Sequence, residues 1–220
     1  LALAVCPDLK KQLANAPDPL RLALKLSMAG NIIDSGINPN LDVKAEIAKL
    51  AEPGAYEDRV FMDYRQLRAA LKKARTVLFV GDNAGETVFD RLLIDEILRL
   101  YPRIKVTYAV RAFPTLNDAL VEDAAEAGLH EVADIITSGS DFPGTSLPGS
   151  TRQFRQAFYA ADVVISKGQG NYESLTDSDR DIFFMLMLKC PVVARHARLK
   201  TGSYLLRHAR PKKTAARRKK

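Results

Sequence analysis

The segment that most constrains this chain is Thr76-Val77-Leu78-Phe79-Val80, a continuous run of strand formers between Arg75 and Gly81. It shows neither the alternation of a half-solvated strand nor the spacing of a surface helix. Such a run reads as a strand buried on both faces, and that kind of strand belongs to a parallel sheet covered by helices on either side. The chain beyond it fits this requirement. Lys105–Val110, Ala133–Thr137, Asp162–Ser166 and Pro191–Ala194 are expected as further strands. Helices are expected at Val88–Leu100, Asn117–Ala127 (closed by Gly128), Arg152–Tyr159 and Asp181–Leu188, with a Gly/Ser/Pro-rich loop over Ser138–Ser150. Strands alternating with helices predict an α/β fold with a mainly parallel sheet and helices on both faces.

Residues 1–75 read differently, as a helical N-terminal part. Leu9, Leu13, Leu20, Leu22, Leu24 and Leu26 fall on a stretch interrupted by Pro17 and Pro19. Asp18-Pro19 has the form of an N-cap followed by a first-turn proline. The helix it opens is expected to stop at Gly30, with residues 31–36 as a turn. A short helix over Val43–Ala51 follows. Phe61, Tyr64, Leu67 and Leu71 then predict a helix ending near Ala74. The organisation expected is a helical cap (1–75), an α/β core (76–206) and a basic tail (207–220).

With 220 residues, 47% of them hydrophobic, the chain is of ordinary size for one domain with a core of its own. No apolar run approaches the roughly 20 residues of a membrane helix, and Leu1–Val5, without a basic flank, is not read as a signal peptide. Cys6 and Cys190 form no ligand or redox pattern and read as reduced thiols of a cytoplasmic protein. The net charge of +7 suggests nucleic acid, but eight basic residues and no acid lie between Arg207 and Lys220. Removing those eight leaves −1 for the rest, so the basicity describes a tail; weak contacts to RNA or acidic surfaces are the most it implies.

In a doubly wound sheet the ligand crevice lies outside the carboxyl ends of the strands. The first strand delivers Gly81-Asp82-Asn83-Ala84-Gly85-Glu86. Asp beside Asn is a hard oxygen pair suited to a divalent cation, and N–H groups at the next helix start suit an anion. The loop is neither Gly-x-Gly-x-x-Gly nor a P-loop. An Asp/Asn turn that merely caps a helix is the plain alternative. The second strand ends in Arg111, a phosphate clamp or a surface charge. Asn117 and Asp118 follow, either as helix caps or as a source of a further ligand, since neighbouring strands lie about 4.8 Å apart. The fourth strand ends in Ser166-Lys167-Gly168-Gln169-Gly170-Asn171-Tyr172-Glu173. Lys167 there is placed to neutralise a phosphoryl group, or else is a solvated turn lysine. The histidines add little: His130 reads as a helix-end cap, His196 follows the fifth expected strand with the site as its lesser alternative, and His208 belongs to the tail.

Taken together, Ala29-Gly30-Asn31-Ile32-Ile33-Asp34, the Gly81–Glu86 loop, Leu116-Asn117-Asp118-Ala119 and the Ser166–Glu173 stretch resemble the damage-control phosphatase family, also called acidic-residue methyltransferase-like, in its prokaryotic stand-alone branch. The resemblance covers about residues 7–205. It implies a three-layer α/β/α, Rossmann-like core and a divalent-metal-dependent phosphatase acting on small phosphorylated metabolites. It implies Asp82, Asn83 and Asp118 as metal ligands, for Mg, Mn, Co or Ni. Lys167, Gly168, Asn171 and Glu173 would border the phosphate, and Asn31 would lie near the site. Gly85, Glu86, Arg111, Gln169 and Gly170 complete the expected substrate-binding set. Asp82, Asp118, Lys167 and Glu173 are the candidate catalytic residues. The Cys-x-x-Cys usual at the start of this branch is represented here by Cys6 alone. Two rival readings remain: an S-adenosylmethionine-dependent methyltransferase, which calorimetry with that cofactor would reveal, and a nucleic-acid- or partner-binding module acting through the tail, which deletion of Pro211–Lys220 would reveal.

Overall fold

The computed structural model describes residues 2–34, 63–140 and 142–211. Six strands, β1 (Thr76–Val80), β2 (Lys105–Val110), β3 (Asp134–Thr137), β4 (Val163–Lys167), β5 (Ile182–Met187) and β6 (Tyr204–Ala209), form one sheet in the order β3-β2-β1-β4-β5-β6. All neighbouring pairs are parallel except β5 with β6. The α/β, mainly parallel architecture expected from the alternation is present.

Helices cover both faces. Helices α1 (Ala2–Asn15), α2 (Pro19–Asp34), α3 (Tyr64–Lys73), α4 (Thr87–Leu100) and α5 (Val121–Glu126) are followed by α6 (Arg152–Ala160), α7 (Gln169–Leu175) and α8 (Pro191–Ala197). Period-two alternation in the strands splits the core into two layers. Val77, Phe79, Val106, Tyr108, Ile165 and Met185 face α1–α5. Leu78, Val80, Val164, Phe184 and Leu186 face α6–α8. The helical N-terminal part therefore shares one apolar cluster with the sheet: Leu20, Leu24 and Leu67 pack with Phe79 and Phe89.

Several sequence expectations are corrected. Residues 182–187 are strand β5 and residues 191–197 are helix α8, the reverse of the expected order. Ile182–Met187 is apolar throughout because it is buried between β4 and β6, and such a run has no period to separate strand from helix. Pro191 opens α8 at its first turn, where its missing N–H costs nothing. Helix α2 does not stop at Gly30 but runs to Asp34. A Cβ on Gly30 would stand 2.8 Å from Phe89 Cδ2, so this glycine serves close helix packing rather than termination. The helix expected over Asn117–Ala127 is confined to Val121–Glu126. Strand β6 takes in Arg207, His208 and Ala209, three residues that composition assigns to the tail. The helix expected at Val43–Ala51 lies outside the described residues.

The order β3-β2-β1-β4 places a topological switch point between β1 and β4, where successive connections leave on opposite faces. At the amino ends of these strands, Asp162 Oδ2 accepts the backbone N–H of Arg75 (2.8 Å) and Thr76 (2.9 Å), clipping them together. The carboxyl ends are left to form a crevice.

Candidate active site

Strand β1 ends at Val80 and the chain turns through Gly81, whose N–H still donates to Ala109 O (2.9 Å). Residues 82–84 then pair with residues 117–119 in a short antiparallel contact. Ala119 N donates to Asp82 O (2.7 Å), Ala84 N donates to Asn117 O (2.8 Å), and Asn83 and Asp118 form an isolated bridge. This pairing is why Asn117–Ala119 is not helical, and it sets Asp118 beside Asn83. A 3-10 turn, Ala84–Glu86, leads into α4, with Gly85 half-buried within it.

Asp82 sits against Gly168, the residue that turns the chain after β4. Gly168 has φ +82°, and a Cβ there would lie 2.0 Å from Asp82 Cγ. Only glycine satisfies both the left-handed backbone and this approach. Among the described residues the Asp82 carboxyl makes no hydrogen bond. Burial, then the carboxylates of Glu86 and Asp118, push its pKa well above the usual carboxylate range, against the opposing pull of Lys167 and Arg111.

Lys167 is 1% exposed, so it is no solvated turn lysine. Its ammonium donates to Glu86 Oε2 (2.6 Å), Asp90 Oδ1 (2.7 Å) and the backbone O of Ser27 on α2 (2.8 Å). Those bonds use its three donors. Burial works to remove the proton, but Asp90 and Glu86 outweigh it and hold the ammonium above its ordinary pKa. Asp90 also accepts from Ser27 Oγ (2.6 Å) and Tyr108 Oη (2.8 Å), while Glu86 Oε1 accepts from Asn83 Nδ2 (2.8 Å).

Arg111, at the end of β2, is likewise buried and is not a surface charge. Its Nε donates to Asp118 Oδ2 (2.5 Å), Nη1 to Gly144 O (2.8 Å) and Thr145 Oγ1 (2.9 Å), and Nη2 to Asn171 Oδ1 (3.2 Å). One guanidinium thus joins the loops after β2, β3 and β4. Asn171 returns the connection to β1 and β4 by donating to Gly81 O (3.0 Å) and Lys167 O (2.7 Å). Gly170 lies against Gly144.

The structure therefore gathers Asp82, Asn83, Glu86, Arg111, Asp118, Lys167, Gly168 and Asn171 around the β1/β4 switch point. Gln169 and Glu173 lie further out: Glu173 is exposed and accepts from Gln169 Nε2 (2.8 Å), whose Oε1 receives the N–H of Lys189 and Cys190 (3.1 Å each). Asn31 falls in the last turns of α2, and its side chain is outside the described residues. Of the histidines, His196 has its ring 6.2 Å from that of Tyr172, and His208 stacks on Phe183 (4.3 Å) within β6.

Sequence reasoning missed Ser27, Asp90, Tyr108 and Thr145. Asp90 carried a usable signal: it follows Glu86 by four residues, hence the same helix face, and interrupts the apolar pattern Phe89–Leu92–Leu93. Lys189 was missed because β5 was read as a helix; it is an exposed lysine just past a strand's carboxyl end.

The oxygens of Asp82, Asn83 and Asp118 are hard donors of the kind that hold Mg²⁺ or Mn²⁺. Among the described residues no three His, Cys, Asp or Glu side chains form a ready cage. A set of two carboxylates and one amide fits an ion that keeps several waters. The Asp82 carboxyl lies near those of Glu86 and Asp118 and, among the described residues, makes no hydrogen bond.

Fold and centre define the class: a Rossmann-like α/β protein with an oxygen-donor triad at its switch-point crevice. The chain belongs to the damage-control phosphatase ARMT1-like domain family, whose profile matches residues 1–205. It is 40% identical over 185 residues to a damage-control phosphatase of Pyrococcus horikoshii, covering 83% of this chain and 62% of the relative's length. It is 32% identical over 204 residues to a damage-control phosphatase of Archaeoglobus fulgidus, covering 92% of this chain and 69% of that protein. An uncharacterized protein of Methanocaldococcus jannaschii is 36% identical over 208 residues, 90% of this chain and 67% of its own. The crystal structure of a DUF89 family protein from Pyrococcus horikoshii matches with a TM-score of 0.84 at 35% identity, over 95% of this chain and 71% of that one. Among the described residues no helix is long and apolar enough to cross a membrane.

Proposed function

We propose that this chain is a divalent-metal-dependent phosphatase of small phosphorylated metabolites. The observation that carries the reading is the Asp82 carboxyl, without a hydrogen bond among the described residues, beside the Asn83–Asp118 bridge at the switch point. Membership of a family whose curated relatives are named damage-control phosphatases supports it.

Asp82, Asn83 and Asp118 would hold the ion, with Mg, Mn, Co and Ni all compatible with such donors. When bound, the ion supplies Lewis-acid polarisation of a phosphoryl oxygen and lowers the pKa of water. The chain's own contributions are positional and electrostatic. Asp82 is pressed against Gly168 and so has little freedom to move. Asp118 is fixed by Arg111. Lys167 keeps one buried positive charge beneath the crevice and offsets part of the negative charge of Glu86 and Asp90. The exposed Lys189, tied through its backbone to Gln169, is a second positive charge at the same edge. Glu173 on the outer turn of α7 is the acid or base that remains reachable from solvent.

Asp82→Ala is expected to abolish Mn²⁺-dependent hydrolysis of p-nitrophenyl phosphate while leaving the circular dichroism spectrum and the melting transition intact. Undiminished hydrolysis by this variant would remove Asp82 from the site.

A further inference from the structure

We propose that Glu86 is a positioning residue that turns the amide of Asn83 so that its oxygen, and not its nitrogen, faces the metal. This rests on the reading of Asp82, Asn83 and Asp118 as ligands. An asparagine amide has two ends of nearly equal shape. Only the oxygen can bind a cation, while the NH₂ end presents two donors. An asparagine ligand therefore needs something to choose its orientation.

The structure supplies it three residues on. Asn83 and Glu86 have the spacing of a capping box, in which the first side chain would accept from the helix backbone and the second would return to the first residue's own N–H. Asn83 makes no such cap. Its Nδ2 instead donates to Glu86 Oε1 at 2.8 Å, side chain to side chain. The 3-10 turn holds the two at this distance, with Glu86 N donating to Asn83 O (3.1 Å). A carboxylate only accepts, so the NH₂ end must turn toward it.

Glu86 is suited to this by its burial. It is 1% exposed, and so cannot reach a substrate. Its second oxygen is held by Lys167 at 2.6 Å, and Lys167 is held in turn by Asp90 and Ser27 O. Rotation of Glu86 would break an ion pair sealed from water. Asp118 has an equivalent device in Arg111, of opposite polarity because a carboxylate is oriented by a donor and an amide by an acceptor. A glutamine at position 86, its oxygen kept by Lys167, would present its NH₂ to Asn83 and draw the asparagine oxygen toward itself.

Titration calorimetry with Mn²⁺ alone tests this on the full chain. Glu86→Gln, which keeps an acceptor for Lys167, is expected to weaken Mn²⁺ binding about 10- to 100-fold, the usual effect of losing a residue that orients a ligand. Asn83→Asp is expected to weaken it as well, because the new carboxylate faces that of Glu86. A pure charge effect predicts the opposite, since that substitution adds a negative ligand. Glu86→Gln combined with Asn83→Asp restores one donor facing one acceptor and is expected to recover most of the affinity. Tighter binding by Asn83→Asp alone, or a double variant no better than the two effects multiplied, overturns the proposal. So does an Asn83 side-chain amide resonance, assigned by its loss in Asn83→Asp, that does not move on Glu86→Gln in the metal-free protein. That readout needs no metal. A wild-type chain that binds no Mn²⁺ sinks the ligand reading and this proposal together; wild-type binding with an unaffected Glu86→Gln sinks this proposal alone.

Discussion

Two buried cations flank Asp82, and the protein uses them differently. Lys167 turns inward. Its three bonds go to Glu86, Asp90 and the carbonyl of Ser27, so it joins the end of β4 to α4 and to the N-terminal helix α2. Arg111 spreads sideways. Its planar fork joins Asp118, the loop at Gly144 and Thr145, and Asn171, three different strand-end loops. A compact ammonium suits the first task and a planar guanidinium the second. The comparison teaches what is left over. Both positive charges are committed to the walls of the crevice, and among the described residues the Asp82 carboxyl between them has no hydrogen bond. Around Asp82, Asn83 and Asp118 the carboxyl groups outnumber the cations.

The sharpest way to break this comparison is to remove each cation in turn. Lys167→Met takes the shared cation from two buried carboxylates, Glu86 and Asp90, and is expected to cost about 3–5 kcal/mol in urea unfolding. Arg111→Met strands only Asp118, at the crevice, with a loop carbonyl and a hydroxyl, and is expected to cost less, about 1–3 kcal/mol. Equal losses would show that the inward and sideways clusters are not distinct. Gly168→Ala probes the space between them. A left-handed residue forced against Asp82 is expected to lose about 1–3 kcal/mol of stability in the same measurement and most of the Mn²⁺ affinity; a variant that keeps full affinity would mean that Asp82 has room to move. The smallest effect belongs to the exposed charge at the other edge of the sheet. The backbone N–H groups of Arg75 and then Thr76 hold the Asp162 carboxyl below the usual range. Its folded pKa is thus depressed, so its contribution is present above the unfolded carboxylate value, about 3.9, and is lost as pH falls through the lower folded value. With solvent screening, Asp162→Ala is expected to cost under about 1 kcal/mol near neutral pH. The difference should vanish in thermal melts at the acidic end, and a difference that persists there would contradict the clip.

Much of the sheet was readable from the chain itself. Val77–Val80 is an apolar run with clear boundaries, buried throughout, and Val106–Val110 is a run of strand formers broken only by the partly buried Thr107. The third and fourth strands were placed to within one residue. The last third was harder: Ile182–Met187 and Pro191–Ala197 exchanged identities, because a short run without period carries no signal of its own and the β6 partner that makes it a strand lies about twenty residues on. Gly30 was read as a stop because glycine is poor in helices, while its actual role depends on Phe89, nearly sixty residues away.

The sequence by itself determined that Asp82, Asn83, Arg111 and Lys167 stand at the ends of buried strands, because strand ends are local features and the ligand crevice of such a sheet lies there. It also carried the motifs by which the chain's family is recognised. Only the tertiary structure decided what each charge does. Whether Lys167 points to solvent or into a sealed pair with Glu86 and Asp90, and whether Arg111 is a clamp or a brace, are set by groups distant in sequence. Hydrogen bonds and ion pairs require such groups to be placed to within a few tenths of an ångström, and no periodicity along a chain encodes that.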